Sequence, residues 1–189
     1  MEVFGIIDSI VTIPSNYELV EAEEQIRNGV MVKIYRYQEN GKFELNGPRI
    51  IAIFEEENLI SLKNLSSVPI GEMLEDNDAV MFAEEIIEKA NIDYGTGLVF
   101  LREEYQEREF NTKDGLEERF PVQWIKFVSC TGNYSWVTLG ANGKIVEIEY
   151  ESEWDYFRGR RKTEMWDNDD WVLAYYGQGP QLPSPNALA

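Results

Sequence analysis

Val122-Gln123-Trp124-Ile125-Lys126-Phe127-Val128-Ser129, Tyr134-Ser135-Trp136-Val137-Thr138-Leu139 and Lys144-Ile145-Val146-Glu147-Ile148-Glu149-Tyr150 are three runs rich in β-branched and aromatic residues. Gly132-Asn133 separates the first pair and Asn142-Gly143 the second. Short runs of this composition, broken by turn residues, read as an antiparallel meander. In the third run Val146, Ile148 and Tyr150 face one way, while Glu147, Glu149 and Glu151 face the other with Ile145. That pattern predicts a sheet with one face in water.

Upstream, Val30 to Tyr37 and Ile50 to Phe54 also read as strands, with Leu59 to Leu62 as a further one. Asn40-Gly41 offers a tight turn into Lys42-Phe43-Glu44-Leu45. The two Asn-Gly-Lys turns, at Asn40 and Asn142, invite a repeat reading, but little else aligns, so a common turn used twice is expected. Ala79, Phe82, Ala83, Ile86, Ile87 and Ala90 recur at helical spacing and predict a helix from Asp78 to Ala90, with Asp76, Asn77 or Asp78 as N-cap. A shorter helix is expected over Asn16 to Arg27, with Leu19, Ala22 and Ile26 inward. Leu98 to Leu101 begins a strand that continues to Phe110, although the charged continuation equally fits a helix.

The fold class expected is α+β: a mostly antiparallel, twisted sheet with one or two helices packed on one face. Residues 1–70 form a β-rich N-terminal part. Residues 71–176 hold the helix, the meander and an aromatic-rich segment, and share a core with 1–70 or stand apart from it. Residues 177–189, with Pro180, Pro183 and Pro185, read as a flexible tail.

Thirty-five acidic residues stand against seventeen basic ones, with no histidine and a formal charge of -18 at pH 7. The commonest general base and metal ligand at neutral pH is therefore missing. Twenty-four aromatics, nine Phe, ten Tyr and five Trp, still supply a core, so this is not the composition of a disordered chain. Cys130 is the one cysteine, which rules out an internal disulfide and fits a reducing compartment. Met1 to Pro14 lacks the basic start and cleavage pattern of a signal peptide, and no apolar run reaches membrane-spanning length. A cytoplasmic protein is expected, with no cofactor, no membrane partner and no nucleic-acid partner, since phosphate binding needs basic surface.

Phosphate-loop, dinucleotide and zinc patterns are absent. Asp167-Asn168-Asp169-Asp170 resembles the start of a calcium loop but lacks its glycine and closing glutamate, so a solvated acidic turn is expected there. Glu21, Glu23 and Glu24, with Glu55, Glu56 and Glu57, form the densest acidic patches, which read first as a solubility device and second as attraction to a basic partner protein. Trp154, Tyr156, Trp166 and Trp171, beside Asp167, Asp169 and Asp170, read as core and rim first. As a second reading they form a platform for a glycan or another small ligand.

The helix Phe82-Ala83-Glu84-Glu85-Ile86-Ile87, followed by strands and by Tyr134 to Ile148, resembles a PepSY-type unit over about residues 76–150. The resemblance implies one helix on a small antiparallel sheet, in a non-catalytic peptidase-inhibitory or protein-binding module. The leading expectation is a non-enzymatic acidic protein that binds proteins, in the manner of an immunity or inhibitor protein covering a basic partner surface. A carbohydrate-binding or glycoside-processing protein, and a PepSY-like accessory module, are the alternatives.

Overall fold

Arg27-Asn28-Gly29-Val30 opens the sheet. Asn28 and Gly29 take φ of +51° and +84°, the two left-handed positions of a tight hairpin turn, and Arg27 pairs directly with Val30. The turn folds Tyr17–Arg27 (β1) against Val30–Glu39 (β2). The helix expected over Asn16 to Arg27 is therefore a strand. Its glutamates and leucine favour helix locally, but a two-residue turn leaves a helix nowhere to go, and pairing overrides propensity.

The computed structural model describes residues 3–189. Val3–Ile10 (α1) precedes β1, and Arg49–Glu55 (β3) and Asn58–Leu65 (β4) complete a four-strand meander. Asp76–Ala90 (α2) and the short Ile92–Gly95 (α3) lead into Val99–Asn111 (β5), Glu117–Val128 (β6), Tyr134–Gly140 (β7) and Lys144–Ser152 (β8). The charged segment after Leu101 is strand throughout. Lys42–Leu45, expected as a strand, is not one; β2 pairs instead with β3.

The two meanders join through β4 and β8, giving one sheet in the order β1-β2-β3-β4-β8-β7-β6-β5. Residues 1–70 and 71–176 thus share a continuous sheet. The chain runs helix-then-four-strands twice. The Asn40 and Asn142 turns fall at different places in that scheme, between β2 and β3 and between β7 and β8, so neither turn marks the duplication.

The α+β expectation, with helices on one face, is overturned. Strands account for 44% of the residues and helices for 19%, in an eight-stranded sheet, a two-stranded sheet and four short helices. The helices also lie on both faces. On one, Ala79, Ala83, Ile86 and Ile87 of α2 pack with Ile50, Ala52, Phe54, Ile125, Phe127 and Ile148. Alternate residues of β3, Ile51 and Ile53, point the other way, onto Trp166 and Trp171, the latter in Asp169–Tyr175 (α4). The Tyr150 hydroxyl donates to the Ile87 carbonyl at 2.6 Å, tying β8 to α2.

The chain reaches α4 through a small hairpin, Trp154–Asp155 (β9) with Arg160–Arg161 (β10). Residues 177–189, expected as a flexible tail, run back as a strap. Ala187 is fully buried, and the Arg161 amide donates to the Pro185 carbonyl at 2.8 Å. Among the described residues no helix is long and apolar enough to cross a membrane.

Candidate functional site: an aromatic groove beside a buried charge network

The second face of the sheet is covered by the C-terminal segment over β2 and β3 but left open over β5 to β7. Strand alternation decides what shows there. Ile125, Phe127, Val137 and Leu139 fill the core, so Trp124, Lys126, Tyr134 and Trp136 present themselves on the opposite side. Those side chains floor a groove with a cavity volume of about 1020 Å³, walled by Trp154, Tyr156 and Asp167. Trp124 and Trp136 meet at 5.9 Å between ring centroids. The Tyr134 and Tyr156 hydroxyls hydrogen-bond at 2.5 Å and clasp the wall to the floor.

Register arranges the floor in rows. Arg102 of β5 stands opposite Lys126 of β6, Lys126 opposite Trp136 of β7, and Trp136 opposite Glu149 of β8. The next row runs Glu104, Trp124, Thr138, Glu147 and Lys63. The face expected in water is consequently closed where β8 crosses it: Glu147 is 8% exposed and Glu149 2%. Their charges survive burial because cations surround them. Glu149 accepts from Arg27 at 2.5 Å and from Arg161 at 2.6 Å. Glu147 pairs with Arg108 at 2.7 Å and Lys63 at 3.8 Å. Burial alone would raise the Glu147 carboxyl, but Arg108 and Lys63 outweigh it and bring it down to about 2.

Asp167 and Asp169, expected in a solvated acidic turn, belong to the same internal network. Asp167 meets Lys63 at 2.7 Å; burial opposes its ionisation, yet Lys63 and Arg161 hold it well below the usual carboxylate range. Asp169 takes both terminal nitrogens of Arg36, with Arg49 at 3.5 Å. Asp170 is exposed and accepts from the Asn46 side chain. The turn supplies counterions to cations that strands β2, β3 and β4 push into the face, and it presents no joint acidic surface. Among the described residues no group of His, Cys, Asp and Glu could hold a metal ion.

The remaining expected site residues separate. Trp166 and Trp171 are 4% and 1% exposed and pack edge-to-face at 5.2 Å, so they are core and not a ligand platform. Trp154 and Tyr156 do line the groove. Glu21, Glu23 and Glu24 lie on β1 at the far edge of the sheet, seven strand spacings or roughly 33 Å from β5. Glu55 ends β3, and Glu56 and Glu57 turn into β4. The groove residues Arg102, Trp124, Lys126, Tyr134 and Trp136 were missed by the sequence reading. Their signal was the two-residue period of the β6–β7 hairpin, whose non-core positions carry large aromatics and cations where a solvated face would carry small polar residues.

No protein-family model and no curated protein matches the chain.

Proposed function

We propose that this chain is a non-enzymatic protein-binding protein, working in a reducing, cytoplasmic setting, that seats a basic partner against the β5–β8 face. The observation that carries the reading is the open groove, with half-buried Trp124, Trp136 and Trp154 along it and Glu104, Glu107, Glu109, Glu117 and Asp170 at its margin. Large aromatics in a concave, rigid floor are what anchor protein interfaces, and a charged margin adds orientation and rate. The net charge of -18 draws a basic surface from a distance. The acidic β1 edge then acts through its field and not through contact. Occlusion of the partner's basic surface is the mechanism, as in an immunity or inhibitor protein.

The test is capture of the adjacent gene's product, at low and high salt, by wild type, by Trp124→Ala/Trp136→Ala and by Glu21→Lys/Glu24→Lys. The reading expects a basic protein held by wild type, released by salt, lost with the groove variant and retained with the β1 variant, though bound more slowly. Capture that ignores the groove substitutions defeats it. The same three tryptophans favour glycan stacking as a second reading. Tryptophan fluorescence titrated with a glycan panel separates the two, since a protein-only groove gives no saturable change.

A further inference from the structure

Six basic side chains of the described residues are buried: Arg27, Arg36, Arg49, Lys63, Lys126 and Arg161. Five have a carboxylate within 4 Å, as given by the Glu149, Asp169 and Asp167 pairs. Lys126 does not. Its side chain is only 8% exposed, and no oxygen accepts from its ammonium among the described residues. It has aromatic rings instead: the Tyr134 centroid at 3.5 Å, Trp124 at 5.2 Å and Trp154 at 6.0 Å.

A second cation makes the arrangement less favourable still. Arg102 is the direct cross-strand neighbour of Lys126, and its guanidinium lies 5.6 Å from the same Trp124 ring. Like charges opposite one another destabilise a strand pair. Arg102 has one carboxylate, Glu104 at 3.0 Å, and half of its side chain remains exposed. The chain has twice as many acids as bases, yet among the described residues no carboxylate lies within 4 Å of this ammonium, and Glu104 acts on it only from a distance. The rings lower the cost of burying the charge, and Lys126 Nζ is not among the fully enclosed polar atoms without a partner, so it stays reachable from the groove.

We propose that Lys126 and Arg102 form a carboxylate-binding subsite of the groove, which receives an acidic side chain of the bound protein partner. The carboxylate enters from the open side, takes N–H donors from Lys126 and Arg102, and rests against Trp124. This deepens the protein-binding reading and rests on it for the source of the carboxylate. A partner that is basic overall would carry one Asp or Glu as its central anchor, excluded from water by the surrounding rings. Arg beside Trp and Tyr is the composition enriched in dominant interface contacts.

The subsite is tested without any partner, by following tryptophan fluorescence at constant ionic strength with phenylacetate, phenylacetamide and inorganic phosphate as probes. Phenylacetate is expected to saturate, and the neutral amide to bind roughly ten- to a hundredfold more weakly, the worth of a charge-assisted contact. Lys126→Met should weaken phenylacetate by a similar factor. Lys126→Arg should retain it, and Lys33→Met, on exposed β2 surface, should leave it unchanged. Circular dichroism of each variant confirms that the fold is kept. No saturation by phenylacetate, equal binding of acid and amide, tighter binding of phosphate, or an unaffected Lys126→Met would each overturn the subsite. Those failures leave salt-dependent partner capture standing, whereas a subsite that binds phenylacetate beside groove variants that still capture the partner defeats only the docking reading.

Discussion

Arg36 on β2 and Asp169 at the start of α4 meet through two hydrogen bonds, Nη1 to Oδ1 at 2.6 Å and Nη2 to Oδ2 at 2.8 Å. Both side chains are nearly excluded from water. The pair pins the C-terminal segment to the sheet, and the Asn46 amide adds a third donor to Oδ2 at 2.6 Å. Burial alone would raise the Asp169 carboxyl, but Arg36 and Arg49 hold it below its ordinary value.

Asp169→Ala leaves two guanidinium groups buried without their counterion. Breaking such a pair from one side costs about 3–5 kcal/mol. Urea unfolding should show the free energy in water falling by that amount, and the midpoint falling by that energy divided by an unchanged slope, because the surface exposed on unfolding is the same. A midpoint within error of wild type would show that α4 is not held by this contact.

Acid should unfold the protein through the face network. Glu147 has an ordinary value of 4.5 and is brought down to about 2 in the fold; Asp167 shifts in the same direction. A lowered folded value means that the unfolded chain takes up the proton first. The contribution is fully present above 4.5 and drains as pH falls towards 2, of order 3 kcal/mol for one such carboxyl. Denaturant unfolding at pH 7, 5, 3 and 2 checks this. Glu147→Gln should be less stable at pH 7 and lose less between pH 5 and 2.

Lys126 has the opposite sign. Burial, reinforced by Arg102, pushes its ammonium from 10.5 down to about 8, with Glu104 pulling weakly upward. The fold pays for that charge below about 8 and is relieved of it as pH climbs to 10.5. The other side chains facing it are Trp124, Tyr134 and Trp154, none of which is charged at neutral pH. Lys126→Met should therefore stabilise the protein at pH 7 by about 1–2 kcal/mol, and the gain should shrink between pH 8 and 10.5. A loss of stability on substitution would mean that the cation–ring contacts outweigh desolvation.

Much of the sheet was legible because its turns are. The meander from β6 to β8 and the apolar run of β3 carry strand composition between glycine-bearing turns, and the six apolar positions of α2 repeat with helical spacing. The failures have one cause: local readings assign a side chain to water or core without knowing what lies across from it. Asn28-Gly29 is the same kind of signal as Asn40-Gly41, but Leu19, Ala22 and Ile26 before it repeat at a spacing that also fits a helix. Glu147, Glu149, Asp167 and Asp169 look like solvated acids until Arg27, Arg36, Lys63 and Arg161 are brought beside them from strands up to 133 positions away in sequence. Trp154, Tyr156, Trp166 and Trp171 carry one reading in the sequence, core and rim before platform, yet only Trp166 and Trp171 are core, since composition cannot separate a buried tryptophan from a groove-lining one.

The strap gives the last test of how the second face is closed. Ala187 and Leu182 pack into the cluster of Val32, Ile34, Ile53, Trp166 and Trp171, and Arg160 reaches the Leu182 carbonyl at 3.3 Å. The Ser184 hydroxyl donates to the Gly159 carbonyl at 2.7 Å, binding the strap to the β9–β10 turn. Ending the chain at Gly179 would uncover that cluster and remove the Pro185 acceptor of the Arg161 amide. The truncated protein should lose about 1–3 kcal/mol, and its tryptophan emission should shift to longer wavelength as Trp166 and Trp171 gain water. Because Arg161 also holds Glu149 at the groove floor, phenylacetate binding should weaken in parallel. A truncation that melts, emits and binds as the full chain does would show that residues 180–189 lie on the molecule without holding it.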